Sequence, residues 1–143
     1  MLINCAAYRD GRKLADIEIG AIHEVIAQPD CFVWVALQDA SPEELRVLQE
    51  QLDLPDLAVE DALHGHRRPK VEEYGDCLFT VLHLLQPGEA GQVQVGELAV
   101  FTGTRFVLSV RNRSAQQFLG VRARSEREPE LLRLGPGYVL YAL

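Results

Sequence analysis

Residues Cys31–Leu52 read CFVWVALQDASPEELRVLQEQL, and the two halves obey different rules. Cys31–Leu37 is apolar throughout and rich in β-branched and aromatic side chains. A strand with water on one side alternates, whereas an unbroken apolar run suits a strand covered on both faces. This stretch is therefore expected at the centre of a sheet, with Trp34 buried in it. Ser41-Pro42-Glu43-Glu44 follows. It offers a capping side chain, proline at the first helical position, and a glutamate three residues after the cap. Leu45, Leu48 and Leu52 then recur at helical spacing, giving one buried stripe.

Working outward from this unit, strands and helices alternate on the N-terminal side. Leu2–Tyr8 reads as a strand, Arg9–Arg12 as a turn with an Asp-Gly signal, and Lys13–Ile17 as the returning strand. Ile19, Ile22, His23 and Ile26 place a short helix over about residues 19–28, stopped by Pro29-Asp30. On the C-terminal side, Leu54-Pro55 breaks the chain before a helix over residues 56–64. Leu57, Val59 and Leu63 are its expected apolar residues, and Gly65 its terminator. Strands are expected over residues 70–74, 77–85, 93–101 and 105–110. After Ser114 the pattern turns helical, with Phe118 and Val121 on one face. Residues 130–133 make another helical turn, Gly135-Pro136-Gly137 a break, and Tyr138–Leu143 begins an apolar element. The expected class is α/β: a mixed sheet with helices on its faces, in one domain spanning 1–143.

Composition narrows the function. The net charge is −7, unevenly spread. Residues 1–61 carry four basic and thirteen acidic side chains, and residues 105–143 seven arginines and three glutamates. An acidic chain is a poor ligand for nucleic acid, where cations on the protein supply most of the affinity. Its acidic and basic faces suit contacts with other protein surfaces. No stretch approaches the roughly 20 apolar residues of a membrane-spanning helix, and the first ten residues lack the pattern of a signal peptide. Cys5, Cys31 and Cys77 are odd in number and widely spaced, which fits reduced thiols better than disulfides. The expectation is a soluble chain made in the cytosol.

The stretch with most chemistry is Leu57–Asp76, LAVEDALHGHRRPKVEEYGD. Glu60 and Asp61 are adjacent carboxylates on a helix, pointing about 100° apart, so they serve neighbouring positions rather than chelating one ion. Carboxylate oxygen is what Mg2+, a hard cation, favours. His64-Gly65-His66 could begin a zinc site with His83 or a carboxylate as third ligand, although such sites need three or four ligands. His66, Arg67, Arg68 and Lys70 could instead bond helix-end carbonyls and nearby acids. No nucleophile elbow, phosphate-binding glycine loop or HExxH motif occurs. Two readings stand on these residues alone: a soluble protein-interaction module, and a small zinc-dependent hydrolase using His64 and His66.

Glu60-Asp61, His66-Arg67-Arg68-Pro69-Lys70, Val71–Tyr74 and Leu78–Leu82 occur in an order that resembles the CorA family of magnesium and cobalt transporters. Phe32–Val35, Glu97–Phe101, Arg105–Val110, Val121–Arg124 and Tyr138–Leu143 extend the resemblance along essentially the whole chain. The resemblance implies an α/β/α sandwich that is the cytosolic funnel domain of a homopentameric transporter. It places the complete protein in the inner membrane, with this part on the cytoplasmic face. It also implies that Asp61 and, at a second interface position, Glu60 take regulatory Mg2+ with carboxylates of a neighbouring stalk. Co2+ is a possible alternative ion. The family's stalk helix, two membrane helices and Gly-Met-Asn pore motif are absent, so these 143 residues would not conduct ions. They are expected to be cut before the stalk, and mostly monomeric when isolated.

Overall fold

The computed structural model describes residues 1–65, 68–115 and 117–143. Its strands are β1 (Leu2–Arg9), β2 (Arg12–Asp16), β3 (Cys31–Gln38), β4 (Lys70–Tyr74), β5 (Cys77–Pro87), β6 (Val93–Thr102) and β7 (Phe106–Asn112). They form one sheet in the order β2-β1-β3-β7-β6-β5-β4. Among the described residues only the β3–β7 pairing is parallel. The unbroken apolar run thus lies inside the sheet, between β1 and β7. The helices are α1 (Ile22–Ile26), α2 (Pro42–Leu52), α3 (Asp56–His64), α4 (Leu119–Glu126), α5 (Pro129–Leu132) and α6 (Pro136–Ala142).

Strand side chains alternate between two apolar layers, as the pleat requires. Val33, Val35 and Leu37 of β3 join Phe106, Leu108 and Val110 of β7 under Leu45 and Leu48 of α2 and Ala58 and Ala62 of α3. Phe32 and Trp34 point the other way, with Tyr8, Val107, Leu132 and Val139. The result is the α/β/α sandwich. Trp34 is only 3% exposed, and its ring lies 6.2 Å from that of Tyr8, which stacks on Phe32 at 5.2 Å.

Local signals explain most boundaries. Ser41 Oγ accepts from the Glu44 amide at 3.2 Å and Glu44 Oε2 from the Ser41 amide at 2.9 Å, a complete capping box. Asp10 and Gly11 both take positive φ, 50° and 79°, as a two-residue hairpin turn of this hand demands. A Cβ on Gly11 would also stand 2.0 Å from the Pro129 carbonyl oxygen, so the turn is wedged against the start of α5. Gly11→Ala is therefore expected to cost about 1–3 kcal/mol in denaturant unfolding, the range for a strained backbone position. A change below about 0.5 kcal/mol, the level of an ordinary surface substitution, would contradict the wedge.

Three expectations need correction. The segment 19–28 is not one helix: a 3₁₀ turn at Ile19–Ala21 precedes the five-residue α1. Leu57 is 65% exposed, because α3 turns Ala58, Val59 and Ala62 inward instead. Ala58, Val59 and Ala62 join the apolar layer over the sheet, and Leu63 packs only at its margin. Finally, the break expected at Gly135-Pro136-Gly137 is confined to its first residue: the chain is interrupted between α5 and α6, but Pro136 and Gly137 already belong to α6. Gly135, at φ 89°, precedes Pro136 in the first position of α6, where a missing N–H costs nothing.

The cysteines are free thiols, Cys5 and Cys31 buried and Cys77 half-buried. Burial, with the Asp16 charge second, pushes the Cys5 thiol up to about 11. At about pH 8, where a free thiol of ordinary pKa reacts readily, Cys5 should be alkylated only after unfolding. Rapid modification of native Cys5, mapped by mass spectrometry, would contradict its burial.

Candidate functional site

α3 positions the acidic pair. With Ala58, Val59 and Ala62 inward, Glu60 is exposed and Asp61 sits at the half-buried edge. Gly65, at φ 79°, ends the helix and donates its amide to the Asp61 carbonyl at 2.9 Å. The chain then returns as β4, an edge strand paired only with β5. Lys70, Glu72 and Tyr74 share one face of β4 by the two-residue period of a strand. Tyr74 packs beside the same apolar layer that α3 covers.

This arrangement brings helix and strand carboxylates to one ammonium. Lys70 Nζ lies 2.7 Å from Asp61 Oδ2 and 2.5 Å from Glu72 Oε1, and 5.6 Å above the Phe79 ring. Tyr74 donates its hydroxyl hydrogen to Glu72. Desolvation works against the Lys70 charge, but the bonds to Asp61 and Glu72 outweigh it, and its pKa rises. The Glu72 carboxyl is held below its usual range by Lys70 first and Tyr74 second. The Glu72 bond in turn raises the Tyr74 phenol. Two carboxylates therefore share one tethered cation, and Glu60 stands free of the core one residue away.

The expectation that Lys70 bonds nearby acids holds for Asp61. The part of Glu72 was not anticipated, although its i, i+2 spacing from Lys70 on a strand was the available signal. His66 and Arg67 lie outside the described residues. His64 is exposed at the end of α3, beside a cleft lined by Asp39, Asn112 and Arg113. Among the described residues, no group of three or more His, Cys, Asp and Glu side chains is placed to hold a metal ion. His83 lies opposite Glu97 in the β5–β6 register. Glu97 is 3% exposed and pairs with Arg113 Nη2 at 3.2 Å. A lone acid inside VGELAVF was its sequence signal. A Cβ on Gly65 would meet the Glu97 carboxylate at 3.0 Å, so this buried acid packs directly under the end of α3.

A family model described as "CorA-like Mg2+ transporter protein" matches residues 30–143. The chain belongs to the CorA family. A Bacillus subtilis (strain 168) protein named as a metal ion transporter, YfjQ, is 28% identical over 121 residues, covering 84% of this chain and 37% of that protein. Among solved structures, full-length CmaX superposes with a TM-score of 0.75 at 21% identity, over 99% of this chain and 43% of CmaX. The soluble domain of CorA from Methanocaldococcus jannaschii gives 0.62 at 17%, over 98% and 55%. The cytoplasmic domain of ZntB from Vibrio parahaemolyticus gives 0.68 at 15%, over 99% and 57%. At these identities the structures establish the shared fold. This CorA-family chain spans about two fifths of the length of YfjQ and of CmaX. Among its described residues no helix is long and apolar enough to cross a membrane.

Proposed function

We propose that residues 1–143 form the cytoplasmic domain of an inner-membrane transporter for Mg2+, with Co2+ as a second ion. In this reading Asp61, with Glu60 beside it, senses cytosolic Mg2+ at a contact between subunits. The observation that supports it is the sharing of Lys70 between Asp61 and Glu72, at 2.7 and 2.5 Å. The cluster already accommodates a cation, but a monovalent one fixed to the chain. Mg2+ keeps several waters and takes only one or two carboxylates readily, so one chain offers it a weak site in competition with Lys70. Carboxylates from a neighbouring subunit supply the missing negative charge. Mg2+ then offsets their mutual repulsion and favours the closed pore by its differential affinity for that state.

The assembly in this reading is a homopentamer, reaching the membrane through segments beyond residue 143. The domain performs no enzymatic step and binds no nucleic acid. The complete protein, reconstituted in vesicles containing a Mg2+-sensitive dye, should admit Mg2+, and entry should slow as Mg2+ rises on the domain's side. A reading frame without two apolar spans, or vesicles without flux, would refute the transporter reading. Unaltered flux at all Mg2+ concentrations would refute the sensing role alone.

Oligomerisation gives a separate expectation. The −7 charge opposes association at low salt. Residues 1–143 alone should sediment mainly as a monomer at micromolar concentration. A stable pentamer under those conditions would show that the stalk and membrane segments are not needed for assembly.

A further inference from the structure

α3 is short, and its inward side chains Ala58, Val59 and Ala62 are small, so burial alone anchors it weakly. Pro55 stands at its N-cap, with no side-chain cap bond. Asp61 must nevertheless keep one position for its 2.7 Å bond to Lys70. The ends of β6 and β7 supply further anchors. Asn112, the last residue of β7, donates from Nδ2 to the Ala62 carbonyl at 2.9 Å, filling one of the carbonyls that a helix end leaves open. Glu97 lies opposite Asn112 in the β6–β7 register and pairs with Arg113 Nη2 at 3.2 Å. The Gly65 backbone closes on this pair: a Cβ there would stand 3.0 Å from Glu97 Oε2 and 3.5 Å from Arg113 Nη2. The guanidinium thus sits at the negative end of the α3 dipole and answers a buried carboxylate. Arg113 itself takes φ 55°, a conformation that costs a non-glycine residue energy. Its amide donates to Asp39 Oδ1 at 3.0 Å, and the Asp39 amide donates to the Arg111 carbonyl at 2.8 Å. Such strain persists where the surroundings over-determine it, and here it turns the side chain of an exposed residue back onto Glu97.

We propose that Asn112 and the Glu97–Arg113 pair are positioning residues for the candidate site: together they clamp the last turn of α3 and so hold Asp61 against Lys70. Ala62, which Asn112 bonds, follows Asp61 directly, and Gly65, which rests on the ion pair, bonds the Asp61 carbonyl. The clamp therefore grips the turn that carries Asp61 at two points, and a shift of either moves the carboxylate relative to β4. The bearing of the clamp on Mg2+ rests on the sensing role proposed above; its hold on Asp61 does not.

A carbodiimide couples an amine to a carboxylate in contact with it, and Lys13 and Lys70 are the chain's two lysines. In wild-type residues 1–143, peptide mass mapping should find Lys70 joined to Asp61 and to Glu72, the second product serving as a reference within β4. Asn112→Ala and Arg113→Met should each lower the Lys70–Asp61 product about threefold relative to Lys70–Glu72, a shift of the size that coupled neighbours show. Arg113→Lys should restore most of the loss, since it returns a cation to Glu97. Gly11→Ala, which disturbs the β1–β2 turn instead, should leave the ratio where it is. An unchanged ratio in both Asn112→Ala and Arg113→Met, or an equal fall in Gly11→Ala, would overturn the clamp. In the longer protein, Asn112→Ala should raise the Mg2+ concentration for half protection against proteolysis about fivefold, and add nothing once Asp61→Ala is present. Equal Mg2+ protection in wild type and Asp61→Ala would refute the sensing reading without touching the amide ratio. Protection lost in Asp61→Ala, with the ratio unmoved by the clamp variants, would overturn the clamp alone.

Discussion

Trp34→Ala is expected to lower the unfolding free energy by about 3–5 kcal/mol, the range for truncating a buried aromatic side chain. Trp34 is 3% exposed on an interior strand, and β1 and β7 are bonded to its two sides. Its ring completes an aromatic layer with Tyr8 and Phe32. Neighbours held by sheet hydrogen bonds cannot collapse fully into the space it leaves, so the cavity cost persists beyond the lost transfer energy. Because Trp34 is the only tryptophan, denaturant unfolding must be followed by far-UV circular dichroism rather than fluorescence. A loss under about 1 kcal/mol would mean that the layer repacks, contrary to a close-packed interior.

That side chain was legible because its stretch leaves no polar face for water. The same holds for α2, where Ser41, Pro42 and Glu44 state a helix start in purely local chemistry. The Asp10-Gly11 turn is likewise a matter of two residues and their φ angles. The neighbours within the sheet are another matter. Nothing local to Val33–Gln38 says that it runs parallel to Phe106–Arg111, some seventy residues away. Leu57 failed for a related reason: hydrophobicity favours leucine inward, but the space under α3 admits Ala58 and Ala62. The candidate site divides along the same line. Glu60 and Asp61 can be picked out as adjacent helical carboxylates, and the CorA resemblance suggests their use. That Glu72 shares a face with Lys70 follows from their i, i+2 spacing on β4, but that Lys70 also reaches Asp61 depends on how β4 returns beside α3, which no local pattern encodes.

Lys70 sets the terms for the other large effect, on magnesium protection. Isolated residues 1–143 should bind Mg2+ no better than about millimolar, since the ion surrenders water reluctantly and a tethered ammonium already serves the two acids. In the assembled transporter, Mg2+ at the subunit contact should slow limited proteolysis by favouring the closed state. Asp61→Ala should abolish most of that protection. The isolated domain should barely change in stability, by about 1 kcal/mol or less, because the ion pair it loses is partly solvated. Lys70 retains Glu72 in that variant. Lys70→Met tests the competition directly: it leaves Asp61 and Glu72 without their shared cation, and Mg2+ binding to the isolated domain should tighten relative to wild type. Glu72 adds a pH signature. Its folded pKa is depressed, so its share of the cluster is present above the ordinary glutamate range and is lost as pH falls through the lowered value. Mg2+ protection should weaken in the same direction, as the carboxylates protonate. The decisive comparison is proteolysis of full-length wild type and Asp61→Ala with and without Mg2+. Equal protection in both would reduce Asp61 to a surface acid paired with a lysine. A micromolar site in wild-type residues 1–143 would sink the interface from the other side, because one chain would then suffice.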